Sequence, residues 1–160
     1  ARRIHPDVVE QDILRYLTDK SEVFDLIVAL DIIEHLEKDK ILEFLLLCNK
    51  ALKPSGRLIV QTPNAHSLFA AAMLYADFTH ECCFSPAGIT RLFSFCGFSN
   101  IECRETLAKP HGIKSAVRWL LWRAIRLALK AYLLIEKGTV SSNIFTSVFL
   151  VSATKPIANA

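Results

Sequence analysis

Three titratable side chains stand directly after an apolar run of the sequence. The run is Phe24–Ala29, and Asp31, Glu34 and His35 follow it. Histidine changes charge near neutral pH, so His35 and Glu34 could act as an acid–base pair. A loop histidine beside a glutamate can equally be solvated or structurally bonded. Asp31 could lie near a ligand or cap the helix that follows, and both interpretations stay open.

A second histidine lies among acidic residues further along the chain. His80 stands in a polar stretch that also contains Asp77 and Glu81. A base poised near neutral pH could take the proton from a hydroxyl group before that group attacks an electrophile. His80 is therefore the best general-base candidate in the sequence, although it could instead anchor its loop through hydrogen bonds. The adjacent Cys82 and Cys83 are interpreted as apolar fillers rather than nucleophiles.

The elements that must position these residues form a β-α-β unit. Phe24–Ala29 predicts a buried parallel strand, Lys38–Leu52 has apolar side chains at helical spacing, and Leu58–Val60 predicts a second strand. Residues 54–56 are expected to turn the chain before that strand. Ligands of such sheets bind at the carboxyl ends of the strands. Asn64, at the end of the second strand, is therefore a candidate acceptor contact together with His80 and Glu81.

Further elements are predicted on both sides of this unit, within one domain over residues 1–160. Strands are expected at Val8–Gln11, Ser99–Glu105 and Ser142–Thr154. Helices are expected at Ile13–Leu17, at Ala65–Tyr75, from Pro86 to the residues before Gly97, and at Ile113–Lys137. Ser85 is expected to cap the helix that begins at Pro86. Proline suits the first position of a helix.

Composition narrows the class of protein. The chain has 160 residues, 52% apolar and 22% charged, which fits a folded α/β domain. A net charge of +3 argues against nucleic acid as a partner. Five cysteines without paired spacing indicate neither a metal site nor disulfides, so we expect reduced thiols, a cytoplasmic protein and no metal.

The predicted helix Ile113–Lys137 combines tryptophans with a basic arc. This pattern is typical of a helix that lies on a membrane surface. It is also compatible with a lid or a homodimer face packed on protein, which we favour because the helix lies inside the domain. The basic residues of the arc are Arg118, Arg123, Arg126 and Lys130.

These segments together resemble class I S-adenosylmethionine-dependent methyltransferases of type 11/23. The matching residues are Phe24–Ala29, Asp31–Leu36 and Leu52–Leu58, with looser matches at 77–81 and 97–98. The resemblance implies a Rossmann-like sheet whose last strand is antiparallel and lies between its two predecessors. It also implies S-adenosylmethionine as cofactor and methyl transfer to a small-molecule acceptor such as a sugar, glycolipid or isoprenoid.

The resemblance also implies which residues contact the cofactor. Asp12 would accept a hydrogen bond from the adenine amino group, and the backbone of Ile13 would meet the ring. Asp12 could instead cap the short helix that follows it. The remaining cofactor contacts implied are Ala29, Leu30, Asp31 and His35.

The sequence departs from this family at one motif. It contains no Gly-x-Gly segment, whereas the family cradles its cofactor with a glycine-rich turn after the first strand. We therefore expect a fragment that begins after the first two strands and is inactive alone, or else a non-catalytic remnant or partner module. Phe24–Ala29 is then expected at the edge of the sheet, and residues 1–10 are expected to be loosely placed.

Overall fold

The computed structural model describes residues 8–106, 111–140 and 143–157. Within these ranges four strands form one sheet in the order β1-β2-β4-β3. The two strands β1 and β2 are parallel, whereas β4 runs antiparallel to β2 and to β3. The predicted mixed α/β sheet, with its last strand antiparallel and between its two predecessors, is confirmed. The strands are β1 (Phe24–Leu30), β2 (Leu52–Pro63), β3 (Ser99–Glu105) and β4 (Val148–Thr154).

Helices and one 3₁₀ turn connect the strands. The helix before β3 begins as its sequence predicts, because the Ser85 side chain accepts a hydrogen bond from the Gly88 backbone N–H. It ends before Gly97, whose φ of 83° suits glycine. The elements are α1 (Ile13–Thr18), the turn Ile33–His35, α2 (Lys38–Ala51), α3 (Ala70–Ala76), α4 (Pro86–Phe95) and α5 (Ile113–Lys137).

The hydrophobic core includes side chains of the sheet, α2 and α4. Apolar residues recur on one side of α2 at helical spacing, and every second residue of β4 is buried. Burial of this apolar surface is the main stabilising contribution to the fold. The largest fully buried apolar side chains are Phe44, Phe93, Phe149, Ile33, Leu45, Leu52, Leu58 and Ile89.

Strand β1 lies at the edge of the sheet, as predicted. Ala29 is buried, but Leu26, Val28 and Leu30 are 51%, 51% and 53% exposed. These three residues alternate along the strand and therefore share one face of the sheet. An apolar strand face with an open backbone edge is a surface on which further polypeptide can pair.

The strand predicted at Val8–Gln11 is wrong for the residues that the structure describes. Residues 8–11 form no strand there, and residues 1–7 lie outside the described ranges. A strand is stable only with a hydrogen-bonded neighbour, and β1 pairs with β2 alone among the described strands. The chain instead leads directly into α1, and Asp12 is the N-cap residue of that helix.

Strand β2 begins earlier than predicted, at Leu52, and continues through the proposed turn at 54–56. Ser55 has a φ of 63°, and the pairing register with β1 shifts between Phe24 and Leu26. A β-carbon on Gly56 would lie 2.8 Å from the Lys53 carbonyl oxygen, so only glycine fits this close approach. The Pro-Ser-Gly segment is therefore an irregularity within the strand.

Strand β4 begins later than predicted, at Val148 rather than Ser142. The backbone just before it bonds to side chains from distant parts of the chain. Phe145 N–H donates to Glu105 Oε1 over 2.9 Å, and Asn64 Nδ2 donates to the carbonyls of Ile144 and Thr146 over 3.2 and 2.8 Å. These groups are consequently not available for a strand ladder. Residues 141 and 142 lie outside the described ranges.

Candidate functional site

A polar loop crosses the carboxyl ends of β1 and β2. The backbone N–H groups of Glu81 and Cys82 donate to the Glu34 carbonyl over 2.8 and 3.3 Å. On the other side, Ala65 N–H donates to the Phe84 carbonyl over 2.9 Å. The loop is thereby tied to the segments that follow both strands. This brings the two histidine-bearing stretches of the sequence together at one edge of the sheet.

His35 and His80 are neighbours at this edge. Their ring centroids lie 4.7 Å apart, with the planes inclined at 47°. One ligand atom each from Glu34, His35 and His80 lies within 4.8 Å of the others. Two histidines separated by 44 intervening residues therefore form one cluster with a buried carboxylate.

The orientation of His35 follows from its bonds to Thr79. The Thr79 hydroxyl donates to Asp77 Oδ1 over 2.7 Å, so it accepts from His35 Nδ1, which lies 2.9 Å away. The Thr79 carbonyl is a second acceptor, 3.2 Å from the same nitrogen. The hydrogen of His35 therefore sits on Nδ1, and Nε2 keeps a lone pair that these two bonds do not use.

His80 is oriented in the same way. Its Nδ1 lies 3.0 Å from the Met73 carbonyl, an acceptor, so this nitrogen carries the hydrogen. This hydrogen bond fixes the loop to α3, so His80 does anchor its loop, as one of the two interpretations from the sequence predicts. It does so with only one of its two ring nitrogens. The opposite nitrogen, Nε2, retains a lone pair that can accept a proton or bind an ion.

Glu34 is the least accessible polar residue of the cluster. Its exposed fraction is 1%, and its Oε2 atom finds no hydrogen-bond partner among the described residues. Burial raises the pKa of the Glu34 carboxyl, and the nearby Asp31 raises it further, against the lowering effects of a backbone hydrogen bond and of the two histidines. An unpartnered carboxyl oxygen in the interior is costly and is uncommon in native proteins.

Asp31 does not cap the helical turn that follows it, and its side chain is hydrogen-bonded. Both of its carboxylate oxygens accept from Gln61 Nε2, over 3.1 and 3.0 Å, and its backbone φ is 53°. The Ile33–His35 turn has no side-chain cap. The side chain of Asp31 therefore bridges the ends of β1 and β2, beside the histidine cluster.

The other residues implied as cofactor contacts lie on α1 and at the end of β1. Asp12 caps α1, because its Oδ1 accepts from the Arg15 backbone N–H over 2.9 Å. Ile13 is half-buried against the core. Ala29 is buried and Leu30 is half-exposed.

Two of the candidate acceptor contacts have very different surroundings. Asn64 is fully buried, and besides its two donated bonds its Oδ1 accepts from the His66 N–H over 2.9 Å. Its amide group is fully used in joining the end of β2 to the start of β4, so we withdraw it as an acceptor contact. Glu81 has an exposed side chain beside His80.

A groove lies further along the same edge of the sheet, between α5 and the start of β4. Its volume is about 510 Å³, and Trp119, Trp122 and Ile125 form much of its apolar wall. Polar groups of Thr106, Ser115 and Thr146 also line it. Such a groove, mainly apolar with a few polar groups, suits a small organic molecule.

The thiols near this edge are unsuited to nucleophilic chemistry. Burial raises the pKa of Cys82 to about 11, with a smaller contribution from Cys83, and burial also raises the pKa of Cys83. All five cysteines are unpaired. The thiolate is the reactive form of cysteine, so these surroundings favour the interpretation of Cys82 and Cys83 as fillers.

Sequence reasoning identified both histidines as site candidates and Glu34 as a possible acid–base partner of His35, but it did not predict that Glu34 is buried. The missing information was burial, because a glutamate in a polar stretch of sequence gives no sign that it is 1% exposed. The one available signal was the Asp-x-x-Glu-His spacing after a strand, which places several ligand-type side chains at one edge.

Comparison with known proteins identifies the family. Residues 3–103 match the methyltransferase domain family. No curated protein matches the chain significantly.

Among solved structures, the chain is similar to a SAM-dependent methyltransferase from Archaeoglobus fulgidus, at 21% identity and a TM-score of 0.65 over 92% of this chain and 67% of that one. It is similar to Haemonchus contortus phosphoethanolamine N-methyltransferase 2, solved with S-adenosyl-L-methionine, at 16% identity and a TM-score of 0.53 over 86% of this chain and 34% of that one. An O-methyltransferase family protein from Burkholderia thailandensis matches at 10% identity and a TM-score of 0.56 over 94% of this chain and 36% of that one.

The chain thus spans from about a third to two thirds of the length of these structures. The match to the family covers more than half of the chain, and the sheet order agrees with the fold of the structures. The expected cofactor, S-adenosylmethionine, is the one named for two of these structures. The chain therefore belongs to the methyltransferase domain family and has the class I methyltransferase fold.

Proposed function

We propose that this chain forms the acceptor side of a site that transfers a methyl group from S-adenosylmethionine to a small molecule. The observation that carries the proposal is the grouping of Glu34, His35 and His80 at the carboxyl ends of two parallel strands, in a chain of this family. Ligands of open α/β sheets bind at that edge. The cofactor supplies an electrophilic methyl group, and the protein supplies position and orientation.

The described residues fit one side of this cofactor. Asp12 is exposed and uses one identified oxygen in capping, so the carboxylate retains acceptor capacity for an adenine amino group. Leu30 and Asp31 lie at the open end of β1, where the backbone can meet the ligand. The glycine-rich turn that holds the cofactor elsewhere in the family is not in this sequence. We therefore expect weak cofactor binding by this chain alone.

The histidines define what the acceptor side can do. With hydrogen on Nδ1, both His35 and His80 present Nε2, which can accept the proton of an acceptor hydroxyl. The groove beside Trp119 and Trp122 suits the apolar part of an acceptor. These features favour a small molecule with both a hydroxyl group and an apolar part, such as a glycolipid or an isoprenoid derivative, with a sugar as the more polar alternative.

A titration followed by amide NMR tests this assignment. Adding S-adenosylmethionine should shift the amide signals of residues 12–13 and 29–31, even if binding is weak. The Asp12→Asn variant keeps a good helix cap but replaces the carboxylate, so it should weaken binding about tenfold, which corresponds to one charge-assisted hydrogen bond. Asp19→Asn, at the other end of α1, is the matched control.

The alternative is a non-catalytic remnant or a partner module. Absence of any signal shift at millimolar cofactor, or shifts spread over unrelated surfaces, would favour that alternative. Equal affinity of Asp12→Asn and the unchanged chain would remove the adenine contact from the proposal.

A second proposal concerns α5, which docks on an anionic lipid surface. All 25 residues of this helix are described and none is buried. At 100° per residue, the half-buried residues Trp122, Arg126 and Leu133 share one side, and the middle of the outer side is apolar. The exposed apolar residues of that outer side are Ile113, Val117, Leu120, Leu121, Leu127, Leu134 and Ile135.

The charge of the helix supports an anionic lipid surface as the occupant of this outer side. Six of the 19 basic residues and one of the 16 acidic residues lie in α5, so the helix carries +5 while the rest of the chain carries −2. Basic residues that flank an apolar stripe are suited to anionic head groups above an apolar bilayer interior. None of the described helices is long and apolar enough to cross a membrane.

Vesicle co-sedimentation separates a lipid surface from a homodimer face. Phosphatidylcholine vesicles that contain phosphatidylserine should bind the chain, and pure phosphatidylcholine vesicles should bind it more weakly. The double variant Leu120→Glu, Leu127→Glu should lose binding, whereas Leu68→Glu, equally exposed but outside α5, should retain it. A concentration-dependent dimer that these two substitutions disrupt, without vesicle binding, would instead assign the face to a second copy of the chain.

A further inference from the structure

Three side chains at the carboxyl edge of the sheet bring one ligand-type atom each close to the other two. Glu34, His35 and His80 each contribute one such atom within 4.8 Å of the other two. Two imidazole nitrogens and one carboxylate oxygen form a common protein donor set for a metal ion. Convergence alone is weak evidence, and three further observations support it.

The first observation is the unpartnered oxygen of Glu34. The residue is 99% buried, and Oε2 has no hydrogen-bond partner in the described part of the chain. Native interiors seldom leave such an atom unpaired, because the lost solvation costs about 1–3 kcal/mol or more for a charged group. A bound cation would compensate this charge directly.

The second observation is the orientation of both imidazoles. His35 Nδ1 lies near the Thr79 carbonyl and hydroxyl, and His80 Nδ1 lies 3.0 Å from the Met73 carbonyl. Metal-binding histidines characteristically donate one ring N–H to such an acceptor, which fixes the ring and leaves the other nitrogen for the ion. Both histidines of this cluster follow that pattern independently.

The third observation is the rigidity of the frame that carries the ligands. The Glu34 carbonyl accepts from the N–H groups of Glu81 and Cys82, so the backbone on both sides of the cluster is bonded together. Ligands on one ion at about 2.1 Å lie no more than about 4.2 Å apart. The present limit of 4.8 Å is close enough for small side-chain rotations to complete the site.

We propose that Glu34, His35 and His80 bind a divalent transition-metal ion. Imidazole nitrogen together with carboxylate oxygen suits Zn²⁺, Mn²⁺, Fe²⁺ or Co²⁺, whereas Mg²⁺ and Ca²⁺ prefer oxygen ligands alone. Three protein ligands leave at least one coordination position for water or another oxygen ligand. The sequence expectation of no metal rested on the absence of paired spacing, and this site is assembled from two distant segments instead.

The ion would change the part that the histidines take in the proposed function, and this consequence rests on that function. With Nε2 bound to the ion, His35 and His80 are ligands and not bases. An acceptor hydroxyl at the open position would lose its proton to solvent water more readily, because a bound cation lowers the pKa of a coordinated oxygen. Methyl transfer would then need no protein base beside the acceptor.

Cobalt binding tests the site without any cofactor or acceptor. The chain is freed of metal with a chelator and titrated with Co²⁺, whose visible absorption reports ligand type and geometry. We expect one equivalent to bind, with nitrogen–oxygen coordination, and the thermal unfolding temperature to rise as Co²⁺ is added. Equilibrium dialysis with Zn²⁺ and Mn²⁺ then ranks the ions.

Variants decide whether the bound ion is at this site. Glu34→Gln, His35→Gln and His80→Gln should each reduce Co²⁺ affinity at least tenfold. His66→Gln and His111→Gln, at exposed positions outside the cluster, should leave it unchanged. Absence of saturable binding would overturn the proposal, as would binding that survives all three cluster substitutions or disappears in Cys83→Ser. The cobalt absorption is measured without S-adenosylmethionine. The test of the metal site therefore stands even if the NMR titration shows no cofactor binding.

Discussion

The histidine cluster and helix α5 are built on opposite principles. The cluster contains few residues, and hydrogen bonds of defined direction hold each of them, with a buried carboxyl group at the centre. Helix α5 has 25 residues, none buried, and a single ion pair to β3, in which Arg126 lies 3.0 Å from Glu105. A chemical reaction needs the reacting groups to be held in a fixed geometry. Attachment to a membrane surface needs only apolar area and charge.

This comparison predicts different energetic responses in the two regions. Substitutions near the carboxyl edge of the sheet should change the free energy of unfolding, upward or downward, because they alter buried polar groups. Substitutions on the outer side of α5 should change binding and leave stability alone. Three variants, in order of decreasing effect on stability, test that contrast.

Asn64→Ala should have the largest effect. Asn64 is fully buried and makes three hydrogen bonds, two of them to backbone carbonyls before β4. We expect the free energy of unfolding to fall by about 3 kcal/mol, since the carbonyls left unpaired lose their compensation. Urea denaturation followed by circular dichroism measures it. Asn49→Ala is the control, because Asn49 Nδ2 has no partner among the described residues, and a loss as large as that of Asn64→Ala would contradict the reasoning.

Glu34→Gln should have a smaller effect of the opposite sign. In chelator-treated buffer we expect unfolding to cost about 1 kcal/mol more than in the unchanged chain, because a neutral amide is less costly to bury than a carboxylate. The same urea experiment measures the difference. Glu43→Gln, at an exposed position on α2, should be neutral. A destabilised Glu34→Gln would show that the carboxylate contributes to the fold itself and would weaken the contrast.

Leu127→Glu should have the smallest effect on stability. Leu127 is 70% exposed on the outer side of α5, so the free energy of unfolding should change by less than about 0.5 kcal/mol. Leu133→Glu, half-buried on the inner side of the same helix, is the matched control and should cost clearly more. Equal costs at the two positions would mean that α5 has no distinct outer side.

Much of the fold was predictable because local signals and the global fold agree. Helix α5 and strand β3 have the predicted bounds, and Ser85, Pro86 and Gly97 mark the ends of α4 as local capping rules require. The order of the strands followed from the family resemblance. The sheet edge at β1 was predicted in the same way.

The boundaries that failed depend on contacts between distant residues. Strand β4 starts late because Asn64 and Glu105, far away in sequence, bond to the backbone before it. The same limit applied to the site, where each histidine was a candidate but their contact was not foreseen. The burial of Glu34 is likewise a property of the assembled edge. Asp12 and Ile13 remain predicted cofactor contacts, as do Ala29, Leu30, Asp31 and His35.

Glu105 links helix α5 to the backbone just before β4, beside the bond that Arg126 donates to the Asn143 carbonyl. One carboxylate oxygen accepts from the Phe145 N–H, and the other lies 3.0 Å from Arg126 of α5. If α5 docks on a bilayer as proposed, a force on the helix would act on the same side chain that holds the backbone before β4. The groove between α5 and β4 would then change width with lipid attachment, which would couple attachment to the entry of an acceptor.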